Sequence, residues 1–254
     1  MDRAVYLSRI GYRGALEPGA GVLAELQLAH LLSVPFENLD IGLGRPIRLE
    51  LGDLWQKIVL QRRGGFCYEL NGLFAWLLEQ LGFQATYLNA VDYHPENDSF
   101  GMPFDHLALM VRIPGETRRW LADVGYGDTF VRPLDIDDSQ EQTQRGRGYR
   151  LEPFRGGYQL WQRGHDGRLE RQYFFDLAPH EFPGDYEAAC RYHQTSPDSI
   201  FTQKQIISRL TPEGRVSLES DALILTREAE RERRPLRDSG EYGDLLQEYF
   251  GFRL

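Results

Sequence analysis

The sequence predicts an α+β fold: a helical N-terminal third, a run of short antiparallel strands, and a C-terminal part that mixes the two. Three observations carry this. Leu70, Leu73, Phe74, Leu77, Leu78 and Leu81 recur at helical spacing and form one apolar face. Beyond Gly82 the pattern changes period, and 83–93, 106–113 and 118–124 are rich in β-prone residues. Turn signals at Pro114-Gly115-Glu116, Gly156-Gly157 and Asp166-Gly167 then separate successive strand-like runs.

In chain order, Val22, Leu23, Leu26, Leu28, Leu31 and Leu32 describe an apolar helix that stops near Pro35. Residues 33–47 read as an irregular connection broken by Pro35, Gly42, Gly44 and Pro46. Asp53 is placed to cap a short helix through Leu54, Trp55 and Ile58. The stretch 62–81, RRGGFCYELNGLFAWLLEQL, follows. Its paired glycines, Gly64 and Gly65, deliver Cys67 to the first turn of the leucine-faced helix, and Gly82 stands where a left-handed C-cap belongs. Short-linked helices of this kind form a small bundle.

The middle strands 83–93, 106–113, 118–124, 149–154, 158–163 and 168–177 predict an antiparallel sheet or barrel. In the last part, 199–210 fits helix or strand, 211–215 (TPEGR) is a turn and 216–226 reads as one strand. The mixed-sign run 227–234 reads as a solvated segment. Ser239 is placed to cap a final helix with Tyr242, Leu245, Leu246, Tyr249 and Phe250 on one face. The expected units are a bundle over 1–83 carrying the nucleophile, a barrel over 84–190 and an α/β lid over 191–254.

Composition narrows the function. A net charge of −9 argues against binding a nucleic-acid backbone, which needs a basic surface. No apolar run is long enough to span a membrane, and the first residues hold no apolar signal core. The two cysteines, Cys67 and Cys190, form no C-x-x-C pair, so no disulfide framework or cysteine-based zinc site is expected. A cytoplasmic setting and no metal follow as expectations.

The candidate chemistry is nucleophilic. A cysteine at a helix start meets free backbone N–H groups and the positive end of the helix dipole, which favour thiolate. A nucleophilic thiol also needs a base, and the base an orienting group. If Pro114 pairs with Thr117 across the hairpin, Asp123 stands opposite Ala108, two residues from His106 on the same face. Asp123 is then the diagonal neighbour of His106, within reach of a polar contact. Cys67, His106 and Asp123 are therefore the candidate catalytic residues. His30, His94, His165, His180 and His193 have weaker contexts.

Three segments in this order, RRGGFCYELNGLF, DHLALMV and LADVGYG, resemble the arylamine N-acetyltransferase family. YLSRIGYRG, HLLSVPFENLDI, TSPDSIF and TPEGR extend the resemblance over most of the chain. The resemblance implies a helical bundle, a β-barrel and an α/β lid with the triad Cys67, His106 and Asp123, arranged as in cysteine proteases. It implies transfer of acetyl from acetyl-CoA to aromatic amines, hydrazines or hydroxylamines through an acetyl-cysteine, a ping-pong reaction suited to xenobiotic metabolism. It places Phe36, Tyr126 and Phe201 in the acceptor pocket and Gly125, Gly127 and Tyr192 at the donor site. It also makes Glu37 and Arg63 an ion pair holding the cysteine loop, although the residues by themselves read as surface charges.

Two positions depart from the family pattern. Asp105, directly before His106, is placed to compete with Asp123 for the imidazole, and Asp198 puts a carboxylate at the donor site. An amide synthase on the same scaffold, acting on a carrier-bound acyl chain, would share these motifs. A thiol hydrolase or a transglutaminase-like enzyme would share the triad logic.

Overall fold

The computed structural model describes every residue except His165, Glu228, Ala229 and Ser239. The turn assigned to His165 and the cap assigned to Ser239 lie outside the described residues. Two helices open the chain, α1 (Arg3–Arg9) and α2 (Ala20–Ser33). Helix α2 stops where expected, because Val34 precedes Pro35 and is driven to extended backbone. Its inward face carries Leu23, Leu26, Gln27 and His30, whereas Leu28, Leu31 and Leu32 are only half-buried. Two polar residues displace the leucine stripe because each has something to meet: Gln27 reaches Asp123, and His30 packs on the rings of Tyr6 and Phe74.

His30 is fully buried, and neither ring nitrogen has a hydrogen-bond partner among the described residues. Burial, with some help from the Arg9 charge, pulls its pKa down to about 3. An unfolded chain takes up this proton near 6.5. Between those values the unfolded state binds a proton that the folded state refuses, so stability falls as pH falls. The slope from this group is about 1.4 kcal/mol per pH unit. A His30→Leu protein is expected to show a flatter dependence of Tm on pH between roughly 6.5 and 3, the window set by this shift. Equal slopes in the two proteins would refute a neutral buried His30.

The 33–47 connection is more regular than its breakers suggest. It contains a two-residue strand, β1 (Phe36–Glu37), and a single helical turn, α3 (Leu39–Gly42). A strand this short leaves no period to read, and its pairing partners are far away in sequence. The next helix, α4 (Leu51–Leu54), starts after Glu50, so Asp53 lies inside its first turn instead of capping it. A π-helical turn, Trp55–Leu60, continues it. Then comes α5 (Cys67–Gln80), with Cys67 as its first residue, its leucine face fully buried and Gly82 in left-handed backbone at φ 90°.

Nine strands follow: β2 (Gln84–His94), β3 (Ser99–Phe100), β4 (His106–Arg112), β5 (Arg119–Ala122), β6 (Leu134–Asp135), β7 (Gln142–Gln144), β8 (Arg147–Phe154), β9 (Gly157–Arg163) and β10 (Leu169–Phe175). Their order is β6-β5-β4-β2-β10-β9-β8-β7, with β3 on β2. The sheet curls into a nearly closed barrel. Its two edge strands meet through Gln142, whose side chain donates to the Asp135 carbonyl and accepts from the Asp135 N–H. The β8–β9 turn is Arg155-Gly156, one residue earlier than the glycine pair suggests, because Gly157 pairs with Phe154. Both turn residues take positive φ, 48° and 81°, the geometry of a tight hairpin.

Strand β4 is buried on both sides. Leu107, Leu109 and Val111 pack with α5, while Ala108 and Met110 face the barrel interior with Leu88, Leu121, Tyr173 and Phe175. The C-terminal elements are α6 (Glu187–Thr195), α7 (Ile200–Gln203), β11 (Ile206–Leu210), β12 (Gly214–Glu219), β13 (Ala222–Arg227), β14 (Glu230–Pro235) and α8 (Glu241–Leu245), the last continued by a π-helical turn over Leu246–Phe250. Residues 199–210 thus contain both a helical turn and a strand. The strand expected over 216–226 is two, with a turn at Ser220-Asp221 between them. Of the charged run, Arg227 ends β13, and Glu230–Arg234, mostly exposed as expected, belong to the edge strand β14.

The C-terminal sheet runs β1-β11-β12-β13-β14, so its first strand comes from the N-terminal third. Strand β1 also touches the cysteine loop, where the Glu37 N–H donates to the Gly65 carbonyl at 2.8 Å. Beneath this junction lies a buried charge network. Arg63 reaches Glu37 at 2.8 Å and Asp40 at 2.6 Å, while Lys57 reaches Asp40 at 2.9 Å and Glu69 at 2.8 Å. Glu37 and Arg63 are therefore interior residues, not surface charges. Single buried charges are costly, and this network answers each with an opposite one.

Candidate active site

Helix α5 and the β4–β5 hairpin build the site. The hairpin pairs Arg112 with Arg119, Val111 with Trp120, Met110 with Leu121 and Leu109 with Ala122. One step further along this register Asp123 stands opposite Ala108, on the interior face shared with His106. His106 Nε2 lies 2.7 Å from Asp123 Oδ2, and both side chains are almost wholly buried. Cys67 reaches the same imidazole through a side-chain hydrogen bond. With Nε2 occupied by Asp123, Nδ1 is the nitrogen left for sulfur.

Asp123 is held by more than His106. Its Oδ2 also accepts from the Tyr173 hydroxyl at 3.1 Å. Its Oδ1 accepts from Asn71 Nδ2 at 2.9 Å and from the Gly125 N–H at 2.8 Å. Asn71 also donates to the Leu107 carbonyl and accepts from the Val124 N–H. The Asp123 N–H donates to Gln27. Sequence reasoning missed Asn71, Tyr173 and Gln27. Asn71 carried a readable signal: it lies four residues from Cys67 and so shares its helix face, amid leucines. An Asn71→Ala protein is expected to lose about 10–100-fold in kcat/KM, by the usual cost of removing a residue that orients a catalytic group. Steady-state rates checked beside the Tm decide it; a rate within twofold of wild type would remove Asn71 from this role.

The electrostatics correct one expectation. Burial pushes the Cys67 thiol up, and the hydrogen bond and charge of His106 oppose this without cancelling it. The helix start therefore does not by itself make a thiolate. Burial also acts against a charged His106, but the Asp123 charge and hydrogen bond, with Cys67, raise it well above its ordinary value. The site thus couples a buried thiol to an unusually basic imidazole.

A cleft of ≈ 750 Å³ opens onto Cys67 and His106. Phe36, Tyr126, Phe201, Tyr192 and Gly125 all line it. Gly125 packs so tightly that an added Cβ would come within 2.7 Å of the Cys67 Cα. Its N–H is engaged by Asp123, so it is not free to donate to an oxyanion in the cleft. Gly127 is not among the lining residues; it adopts φ 88°, and its carbonyl accepts from Arg215. Asp105 does not compete for His106. Its Oδ1 lies 3.0 Å from His193 Nε2. Asp198 is exposed on the cleft wall. Among the described residues, no group of three or more His, Cys, Asp or Glu is arranged to hold a metal ion, and no helix is long and apolar enough to cross a membrane.

The family model for N-acetyltransferases matches residues 21–254. The arylamine N-acetyltransferase of Mycolicibacterium smegmatis is 33% identical over 257 residues, covering 100% of this chain and 93% of its own length. The chain belongs to the arylamine N-acetyltransferase family. It is an acyltransferase. A Gallus gallus member, the pineal gland isozyme NAT-3, is 33% identical over 84% of this chain and 79% of its own. The solved arylamine N-acetyltransferase of M. tuberculosis superimposes with a TM-score of 0.92 at 33% identity, over 99% of this chain and 94% of that one. The Mycobacterium marinum enzyme, solved in complex with CoA, gives 0.90 at 30% identity over 99% and 93%. These likenesses span the bundle, barrel and lid together, so the architecture described above is the family's α+β fold.

Proposed function

We propose that this enzyme transfers acetyl from acetyl-CoA to the nitrogen of an aromatic amine or hydrazine, through an acetyl group held on Cys67. The observation that carries the reading is the buried Cys67–His106–Asp123 chain opening on an aromatic-walled cleft. Membership of the family supports the acceptor class, and the CoA bound to the M. marinum relative supports the donor.

In the first half-reaction the Cys67 sulfur attacks the thioester carbonyl while its proton passes to His106 Nδ1. The tetrahedral intermediate collapses, and His106 returns the proton to the departing CoA sulfur. In the second, the amine attacks the acetyl-cysteine carbonyl and His106 takes the proton from nitrogen. The C–S bond breaks and that proton goes back to Cys67. Asp123 fixes the tautomer and stabilises the imidazolium formed in each half. A basic imidazole suits this cycle, because it must take a proton from a thiol that burial makes reluctant to lose one.

Incubating the protein with acetyl-CoA alone is expected to release one equivalent of CoA and leave an acetyl adduct that peptide mass spectrometry maps to Cys67. Continuous CoA release is expected only when an aniline or hydrazine is added. Absence of both the adduct and the amine-dependent release would sink the proposal.

A further inference from the structure

Asp92 lies in the cleft and has no part in the triad. It sits on β2 two residues from Ala90, which pairs with His106, and so shares the barrel-interior face with the imidazole. His106 is foremost among the charged groups that act on it, followed by Asp105, His94 and His193. Its Oδ1 is buried and accepts no hydrogen bond from the described residues. A buried carboxylate oxygen without a donor is costly, and it is relieved by any ligand that brings an N–H. Burial pushes this carboxyl up to about 6, which leaves it ionised at neutral pH.

The surroundings favour one kind of ligand. The cleft wall carries Asp92, Glu96, Asp105 and Asp198 against a single lysine, Lys204. Asp105 already faces His193, and His106 is bound to Asp123. Asp92 is therefore a carboxylate on the cleft wall beside the reacting centre whose buried Oδ1 receives no hydrogen bond from the described residues. A polyanionic acyl donor gains nothing from it.

We propose that Asp92 is a specificity-determining residue that recognises a cationic nitrogen carried on the same small molecule as the reacting amine. This rests on the acyl-transfer reading of the site. An ammonium or amidinium on the acceptor supplies both the missing donor and the opposite charge, whereas a carboxylate on the acceptor meets like charge.

The test compares three para-substituted anilines at neutral pH with saturating acetyl-CoA: aminomethylaniline (cationic), toluidine (neutral) and aminobenzoate (anionic). In the wild-type enzyme kcat/KM for the cation is expected to exceed that for toluidine about tenfold, about 1.4 kcal/mol, with aminobenzoate last. In the Asp92→Asn protein the cation-to-toluidine ratio is expected to fall to about one, through a higher KM for the cation. A flat or inverted wild-type ranking overturns the inference. So does an unchanged ratio in the variant, or a loss of kcat shared equally by all three amines, which would mark a different role. If Asp92→Asn does not fold, Asp92→Val provides the same comparison, and the wild-type ranking stands as an independent readout. Toluidine turnover reports acyl transfer itself: no turnover of any amine overturns the function and this inference together, while turnover with a flat ranking overturns this inference alone.

Discussion

Replacing Cys67 with alanine is expected to abolish CoA release and the acetyl adduct while leaving the fold intact. The thiol is buried at the first position of α5, and removing one sulfur from a helix start disturbs no backbone hydrogen bond. Among the described residues, no other thiol lines the cleft. The second cysteine, Cys190, is buried on α6, and burial, chiefly, pushes its thiol up to about 12. The amine alone would have to attack the thioester in solution geometry, without the covalent step that divides the reaction in two. Rates measured with acetyl-CoA and an aniline, next to a thermal melt, decide the matter. Turnover within tenfold of wild type would mean that Cys67 is not the nucleophile.

Asp123→Asn is expected to lower kcat by about 10³–10⁴-fold, the scale seen when the orienting carboxylate of a catalytic triad becomes an amide. The hydrogen bonds around Asp123 dictate why. On the Oδ1 side stand two donors, the Gly125 N–H and Asn71 Nδ2. An amide must therefore keep its oxygen there and turn its NH₂ toward His106 and Tyr173. Tyr173 adapts by rotating its hydroxyl. His106 adapts only by accepting at Nε2, which moves its proton to Nδ1, where the thiol proton has to go. The imidazole also loses the charge that raises its pKa, so the pH at which it gives up its proton moves down. In the wild-type protein that raised value adds stability which is present below the unfolded pKa and lost as pH rises through the folded one. The variant is expected to lose this contribution, so its stability should change less as pH rises above about 6.5. A rate within tenfold of wild type would remove Asp123 from the chemistry.

The sequence carried the helix that opens on Cys67 and the hairpin register because both are local. Six apolar residues at helical spacing specify α5, and one turn specifies which residues face each other across β4 and β5. The same locality explains what was missed. Strand β1 is two residues long and pairs with residues far along the chain. Asn71 and Tyr173 find Asp123 only after α5 and β10 have packed against β4 and β2. Glu37 and Arg63 looked like surface charges because nothing near them in sequence announces Asp40 and Lys57 as partners. The thiol's pKa direction was misread for a related reason. The helix start is visible in the sequence, whereas the burial that outweighs it is a property of the assembled interior. Asp105, marked as a competitor for His106, meets His193 instead, a residue on a helix whose position the sequence did not reveal.

The place of β1 has a consequence for how the enzyme is made. Strand β1 lies between the cysteine loop at Gly65 and strand β11, and Asn38 is bonded to Ile206, 168 residues later. At about 5–20 residues per second, a ribosome needs roughly 7–30 s after Cys67 to reach residue 210. Until then the nascent chain holds Cys67 but lacks the strand that braces its loop, and for most of that interval it also lacks Phe201 on the cleft wall. The strand pairing behind the cysteine loop is therefore completed only when the late strand arrives. A chain cut short before Phe201 carries Cys67, His106 and Asp123 and still lacks part of the cleft wall.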